Sequence, residues 1–246
     1  MRFIDSHVHL CEYQETISSL NQARSSGTML LTSGIDKATS LESIDIAKNG
    51  RDLVKPFVGT HPSEARESAN YDWFEGALRE ATGAGEIGLD PRYSEVTAGS
   101  TQRAVFVRQL EVAESLGKPI QVHSRGAEKQ CLEILTSCRL DRVLMHWFES
   151  EADLKEVGDK GYFVSFGPAL VNSKKLRRMA SSLGTGHILT ESDGPVTFRP
   201  LGGAGGPSLI PTVVFALAEL WRVTFPEAEE RVMRNGLSYL KMSGKT

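Results

Sequence analysis

Cysteine is scarce: three residues, Cys11, Cys131 and Cys138, stand in a chain of 246. The number is odd and no two of them form a CxxC pair, so neither a disulfide framework nor a redox motif is present. Free thiols in a reducing compartment are the expectation. No stretch approaches the roughly 20 apolar residues of a membrane span. The opening MRFIDSHVHL is interrupted by Asp5, His7 and His9, unlike the apolar run of a signal peptide. A cytoplasmic chain with no membrane partner is therefore expected. An excess of basic charge is also missing: 28 Lys+Arg face 31 Asp+Glu, a formal net charge of −3. Bulk attraction for nucleic acid is excluded, and any such partner must be held by a local site. There is no Pro/Ser-rich linker and no repeat of fixed period. The Gly-rich run Leu201–Pro207 (LGGAGGP) is too short to separate domains and reads as a flexible loop. One domain over residues 1–246 is expected.

What is present is an ordinary globular composition, 40% hydrophobic and 24% charged. Short apolar, β-branched runs alternate with longer amphipathic ones. Strands are expected near Phe3–His7, Met29–Ser33, Val54–Gly59, Gly85–Leu89, Pro119–His123, Val143–His146, Tyr162–Ser165 and His187–Glu191. Thr101–Leu116 has apolar residues at helical spacing. Weaker helical patterns cover Lys129–Leu135, Ala152–Val157, Leu176–Leu183, Pro211–Trp221 and Glu227–Leu240, and a stretch from Asn70 or Tyr71 to Ala81 is another. Gly27, Gly50, Gly83, Gly117 and Gly184 read as stop signals. Eight strand–helix units in this length predict an α/β fold, a closed (β/α)8 TIM barrel.

The chemistry-bearing residues fall at strand ends. His7 and His9 are two apart, so both point to one face at the end of the first strand. Glu86 lies in an otherwise apolar fourth strand, where an unpaired carboxylate is costly. His123 ends the fifth strand, His146 the sixth, and Asp193 follows the eighth. Each alone reads as a hydrogen-bonded or solvated polar residue. In a barrel, however, the C-terminal ends of all strands form one mouth, where catalytic groups gather. Four imidazoles and two carboxylates there suffice for two divalent metal ions. Mixed nitrogen and oxygen donors suit Zn, Mn or Ni more than Mg.

The pattern resembles the TatD family of metal-dependent deoxyribonucleases. The matching pieces are IDSHVHL, GTHP (Gly59–Pro62), GEIGLD (Gly85–Asp90), the helix from Gln102 to Leu116, PIQVHSR (Pro119–Arg125), HWF (His146–Phe148) and ESDGP (Glu191–Pro195). They run in family order from residue 3 to about residue 240. The resemblance implies a (β/α)8 barrel that hydrolyses nucleic-acid phosphodiesters, often from the 3′ end of single-stranded DNA. It implies His7, His9 and Asp193 at a first metal, His123 and His146 at a second, and Glu86 bridging both. It places His61 and Arg125 near the scissile phosphate. The chain departs from the family pattern at Gly126, at Trp147 and in the LGGAGGP segment, which leaves the metal ligands intact and bears on substrate choice. HWF and GPALVNSKKLRR (Gly167–Arg178) are closer to TatD-related nucleases of Qat-type anti-phage defence clusters, which implies partner proteins.

The expected reaction is attack on phosphorus by water acidified between two metals, with Glu86 and Asp193 as catalytic carboxylates and Asp193 doubling as candidate proton acceptor. Trp147 and Phe148 are candidates to stack a terminal base or to pack inside. Lys174, Lys175, Arg177 and Arg178 are a basic run that guides a backbone or forms a solvated face. His187 reads as structural. Two other readings stand beside the nuclease. One is a barrel amidohydrolase acting on a small amide or ester; many of these bridge metals with a carboxylated lysine, whereas here the bridging position is Glu86 and the next lysine is Lys118. The other is a scaffold subunit of a defence complex, a role in which ligands are often lost; this chain keeps all six.

Overall fold

The computed structural model describes residues 1–66, 70–198 and 203–242. Eight parallel strands follow one another in chain order: β1 (Phe3–Val8), β2 (Thr28–Ser33), β3 (Val54–Val58), β4 (Gly83–Gly88), β5 (Ile120–His123), β6 (Val143–Met145), β7 (Phe163–Phe166) and β8 (Ile188–Thr190). The end of the sheet returns to its start. Thr190 Oγ1 donates to the Ile4 carbonyl, Asp193 N to the His7 carbonyl at 3.0 Å and His9 N to the Gly194 carbonyl at 2.7 Å. The result is the expected (β/α)8 barrel.

Helices fill the crossovers: α1 (Thr16–Ser26), α2 (Lys37–Gly50), α3 (Trp73–Glu80), α4 (Gly99–Ser115), α5 (Glu128–Leu135), α6 (Leu154–Asp159), α7 (Lys174–Ser182), and after β8 the pair α8 (Ile210–Trp221) and α9 (Phe225–Leu240). One apolar cluster joins strand residues such as Leu31, Phe57, Ile87 and Val164 to Leu78, Phe106, Leu132 and Leu217 of the surrounding helices. Thr224 caps α9 in a reciprocal box with Glu227. Among the described residues no single helix is long and apolar enough to cross a membrane.

Two helices, α1 and α2, escape the periodicity argument. Their buried faces are small: Ser19 and Ala23 in α1, and Ser40, Ser43, Ile44 and Gly50 in α2. A helix that packs closely on a barrel through serines shows no apolar stripe. Of the glycine stops, Gly27 and Gly117 adopt the left-handed conformation, at φ 73° and 58°. Gly50, Gly83 and Gly184 do not: Gly50 closes α2 within the helix, Gly83 opens β4, and Gly184 precedes a 3-10 turn.

The LGGAGGP segment is not simply a loop. Gly203–Ala204 (β10) pairs antiparallel with Thr197–Phe198 (β9), and the Gly205 carbonyl accepts from the Tyr13 hydroxyl at 2.8 Å. Leu201 and Gly202 lie outside the described residues.

Candidate metal-dependent active site

The six strand-end residues meet at the C-terminal mouth of the barrel. Glu86, on β4, stands at the centre and divides its oxygens. Oε1 lies 2.5 Å from His123 Nδ1 and 2.9 Å from His146 Nε2. Oε2 lies 3.4 Å from His9 Nε2 and 3.6 Å from His7 Nε2. Asp193 Oδ1 joins the second group, 3.7 Å from His7 and 3.6 Å from His9. Its backbone sits at φ 48°, a left-handed conformation uncommon for aspartate. Strain of this kind persists where surrounding contacts over-determine it, and here Asp193 N is tied to β1.

The far side of each ring is also committed. His7 Nδ1 donates to Gln121 Oε1 at 2.8 Å, an amide oriented by its own Nε2–H on the Ser6 carbonyl. His9 Nδ1 donates to the Ser33 carbonyl at 3.0 Å. His146 Nδ1 donates to Glu191 Oε2 at 3.1 Å, and His123 Nε2 to Asp90 Oδ2 at 2.8 Å. With their protons held behind, four nitrogen lone pairs face two carboxylates. The Nε2 atoms of His7 and His9 are only 3.2 Å apart. A positive charge, proton or metal ion, has to sit between such acceptors.

The electrostatics agree. Burial pushes the Glu86 carboxyl up, but His61, His146, His123 and His7 draw it well below the ordinary carboxylate range. Burial likewise opposes ionisation of Asp193, and the nearby His9 ring together with the charges of the other imidazoles brings it down. Burial lowers His146, yet Glu86 and Glu191 hold it well above the usual histidine value. For His9, burial is overcome by the carboxylates of Asp193 and Glu86 close to its ring, which hold it well above the usual histidine value. A pocket that draws protons onto buried imidazoles draws cations too, and metal binding displaces those protons. Among the described residues, three groupings bring ligand atoms within 4.8 Å of one another: His7, His9 and Glu86; His7, His146 and Asp193; and His61, Glu86 and His123. The donor set therefore fits divalent cations, with borderline nitrogen and hard oxygen donors mixed.

His61 differs from the other four. The Ser63 backbone N–H donates to its Nδ1 at 3.1 Å, so the neutral ring carries its proton on Nε2. That atom lies 3.8 Å from Glu86 Oε1. Burial pushes this histidine down to about 4, keeping it neutral. It presents an N–H donor to the centre rather than a lone pair. Arg125 lies on the exposed rim of the same cavity, which measures about 690 Å³ and is also lined by Arg92, Tyr93, Trp147 and Lys175.

Other sequence expectations separate here. Trp147 lines the cavity, with Nε1 donating to Glu149 at 3.0 Å, whereas Phe148 is buried in the core and cannot stack a base. The basic run on α7 is mostly neutralised: Arg178 pairs with Glu151, Arg177 with Glu219 and Lys175 with Glu149, and of the run only Lys175 reaches the mouth. His187 sits before β8 at the opposite rim, against Phe163. Sequence reasoning missed the residues behind the site. Glu191, Asp90 and Gln121 are buried and polar at strand ends or interiors, where such groups need partners. Gln102 and Gln109 of α4 hold the backbones of Asp90 and Thr60 in the same way, each accepting from one backbone N–H.

A (β/α)8 barrel with this mouth defines a metal-dependent hydrolase. Comparison with known proteins gives the lineage. The TatD related DNase model matches residues 4–241, and the chain belongs to that family. It is 23% identical over 250 residues to an uncharacterized metal-dependent hydrolase of Methanocaldococcus jannaschii, covering 98% of both chains. It is 26% identical over 212 residues to the human deoxyribonuclease TATDN3, covering 78% of this chain and 77% of the relative. Among solved structures, the TatD homolog YjjV of Escherichia coli superposes with a TM-score of 0.86 at 22% identity, over 98% of this chain and 99% of that one.

Proposed function

We propose that this chain hydrolyses phosphodiester bonds at the 3′ end of single-stranded DNA, using two divalent cations. The division of the Glu86 oxygens between two histidine pairs carries this reading. His7, His9 and Asp193 would hold one cation, His123 and His146 the other, and Glu86 both. When bound, two such ions neutralise the anionic oxygens of a phosphodiester and acidify water. The family and the deoxyribonuclease name of a relative support nucleic acid as substrate.

The protein's own groups do the rest. Asp193 is placed to accept the proton of the attacking water, because its second oxygen is not required by His7 and His9. His61 donates Nε2–H to a phosphoryl oxygen, a preorganised donor of the oxyanion-hole kind. Arg125, without an ion-pair partner among the described residues, holds a flanking phosphate at the rim. The cavity has the size of a small-ligand pocket, and its rim mixes Glu12, Glu128 and Glu149 with its cations. A short strand end with few phosphates suits such a rim better than a long duplex does.

The test is cleavage of 3′- and 5′-end-labelled single-stranded DNA with Mn, Zn, Ni or Mg, with and without chelator, beside Asp193→Asn. The expected result is chelator-sensitive shortening from the 3′ end, reduced about 10²–10⁴-fold in the variant. Turnover of a small amide or ester with no DNA cleavage would overturn it.

A further inference from the structure

The two halves of the cluster are supported differently. His7 and His9 lean on neutral acceptors, the Gln121 amide and the Ser33 carbonyl, and have Asp193 in direct contact. Among the described residues His123 and His146 form no front-side ion pair beyond the one with the shared Glu86, and Asp193 comes no nearer to His146 than a grouping within 4.8 Å. Behind them stand two: Asp90 on His123 and Glu191 on His146. The Asp90 charge is balanced by Arg92, whose guanidinium forks onto both its oxygens. Glu191 is fully buried and among the described residues has no such cation; there it accepts only from His146 Nδ1, Ser165 Oγ at 2.8 Å and Trp147 N at 3.0 Å.

We propose that Glu191 and Asp90 are positioning residues for the His123–His146 half alone. Glu191 supplies there, one ring removed, the negative charge that Asp193 supplies to the His7–His9 half by contact. This rests on the metal reading above. Carboxylates behind ligating histidines set the tautomer and raise ligand basicity, and their loss typically costs about 10–100-fold in metal affinity.

Both carboxylates are also irreplaceable by their amides, for one reason. In Glu191, Oε1 is bound to the backbone N–H of Trp147, an obligatory donor. In Asp90, Oδ1 is bound to the backbone N–H of Arg92 at 2.9 Å. An amide must keep its oxygen on that N–H, which turns its NH2 toward the histidine. The histidine nitrogen behind then has to accept, and the ring proton moves to the nitrogen facing Glu86. The lone pair that faced the centre is lost.

The experiment is calorimetric titration of the metal-free protein with Mn²⁺ alone, for wild type, Glu191→Gln and Asp90→Asn, with circular dichroism to confirm folding. Wild type is expected to take two ions. Each variant should weaken one step about 10–100-fold and leave the other within about threefold. Crystals of a variant soaked with one equivalent of Mn²⁺ should show the ion on the His7–His9 half. If one variant fails to fold, the other still decides. Equal loss of both steps, no change in either, or an ion on the His123–His146 half would overturn the proposal while leaving the metal reading intact. No uptake by wild type would overturn both.

Discussion

Gly88 and His123 are register partners on β4 and β5, and the glycine holds φ 149° with no room for a Cβ against the His123 carbonyl oxygen. The strand bearing Glu86 and the strand bearing His123 therefore approach as closely as they do only because residue 88 has no side chain. Gly88→Ala should cost about 3 kcal/mol or more in urea unfolding, through a forbidden φ and a backbone overlap together. A loss below about 1 kcal/mol would mean that the strands part without consequence.

His61 should be separable from the metal cluster. Its Nδ1 is occupied by the Ser63 N–H, so its Nε2 donates. His61→Ala should lower phosphodiester turnover about 10²–10³-fold, the usual effect of removing one preorganised donor, while metal stoichiometry by elemental analysis stays unchanged. Loss of an ion in this variant would place His61 among the ligands instead.

Asp5 carries a pH signature. Its carboxyl is fully buried, and burial pushes it up to about 8 despite hydrogen bonds from the Ser192 hydroxyl and N–H. The folded chain thus keeps a proton that the unfolded chain loses near pH 4. The contribution is fully present below about pH 4 and is lost as pH rises toward about 8. Asp5→Asn mimics the protonated form and should flatten this part of the stability profile of the metal-free protein, measured by urea midpoints at pH 5 and pH 8. An unchanged slope would show that Asp5 does not titrate in that window.

Two arginines, one at the mouth and one away from it, should behave differently. Arg125→Ala should raise KM for single-stranded DNA and reduce the salt dependence of binding by about 0.7 in slope, one phosphate contact. Arg178, paired with Glu151 on the outside of α7, should change neither when replaced by alanine. Equal effects would mean that the strand tracks along α7.

Eight strands were legible because apolar, β-branched runs recur between helical stretches, and the barrel follows from their number. The six central residues were legible because they sit at strand ends, which barrel topology brings together. Helices α1 and α2 were not, since serines face their neighbours and leave no apolar period. Phe148 was ambiguous in sequence; it turns into the core while Trp147, at φ 43° and held by Glu191, turns to the mouth. Glu191 and Asp90 lay inside the ESDGP and GEIGLD motifs, but a motif does not show which member touches the centre and which stands behind it. Gln121 carried a weak signal: it precedes His123 by two residues and so shares its face of β5.

The most direct test of the central claim is substrate class. One metal-loaded preparation should be assayed on bis(p-nitrophenyl) phosphate and on p-nitrophenyl acetate, each with chelator and with Asp193→Asn. The account predicts phosphodiester cleavage that chelator abolishes and the substitution lowers about 10²–10⁴-fold, with ester hydrolysis at background. Chelator-sensitive ester hydrolysis without phosphodiester cleavage would contradict it and make this mouth that of a small-substrate hydrolase.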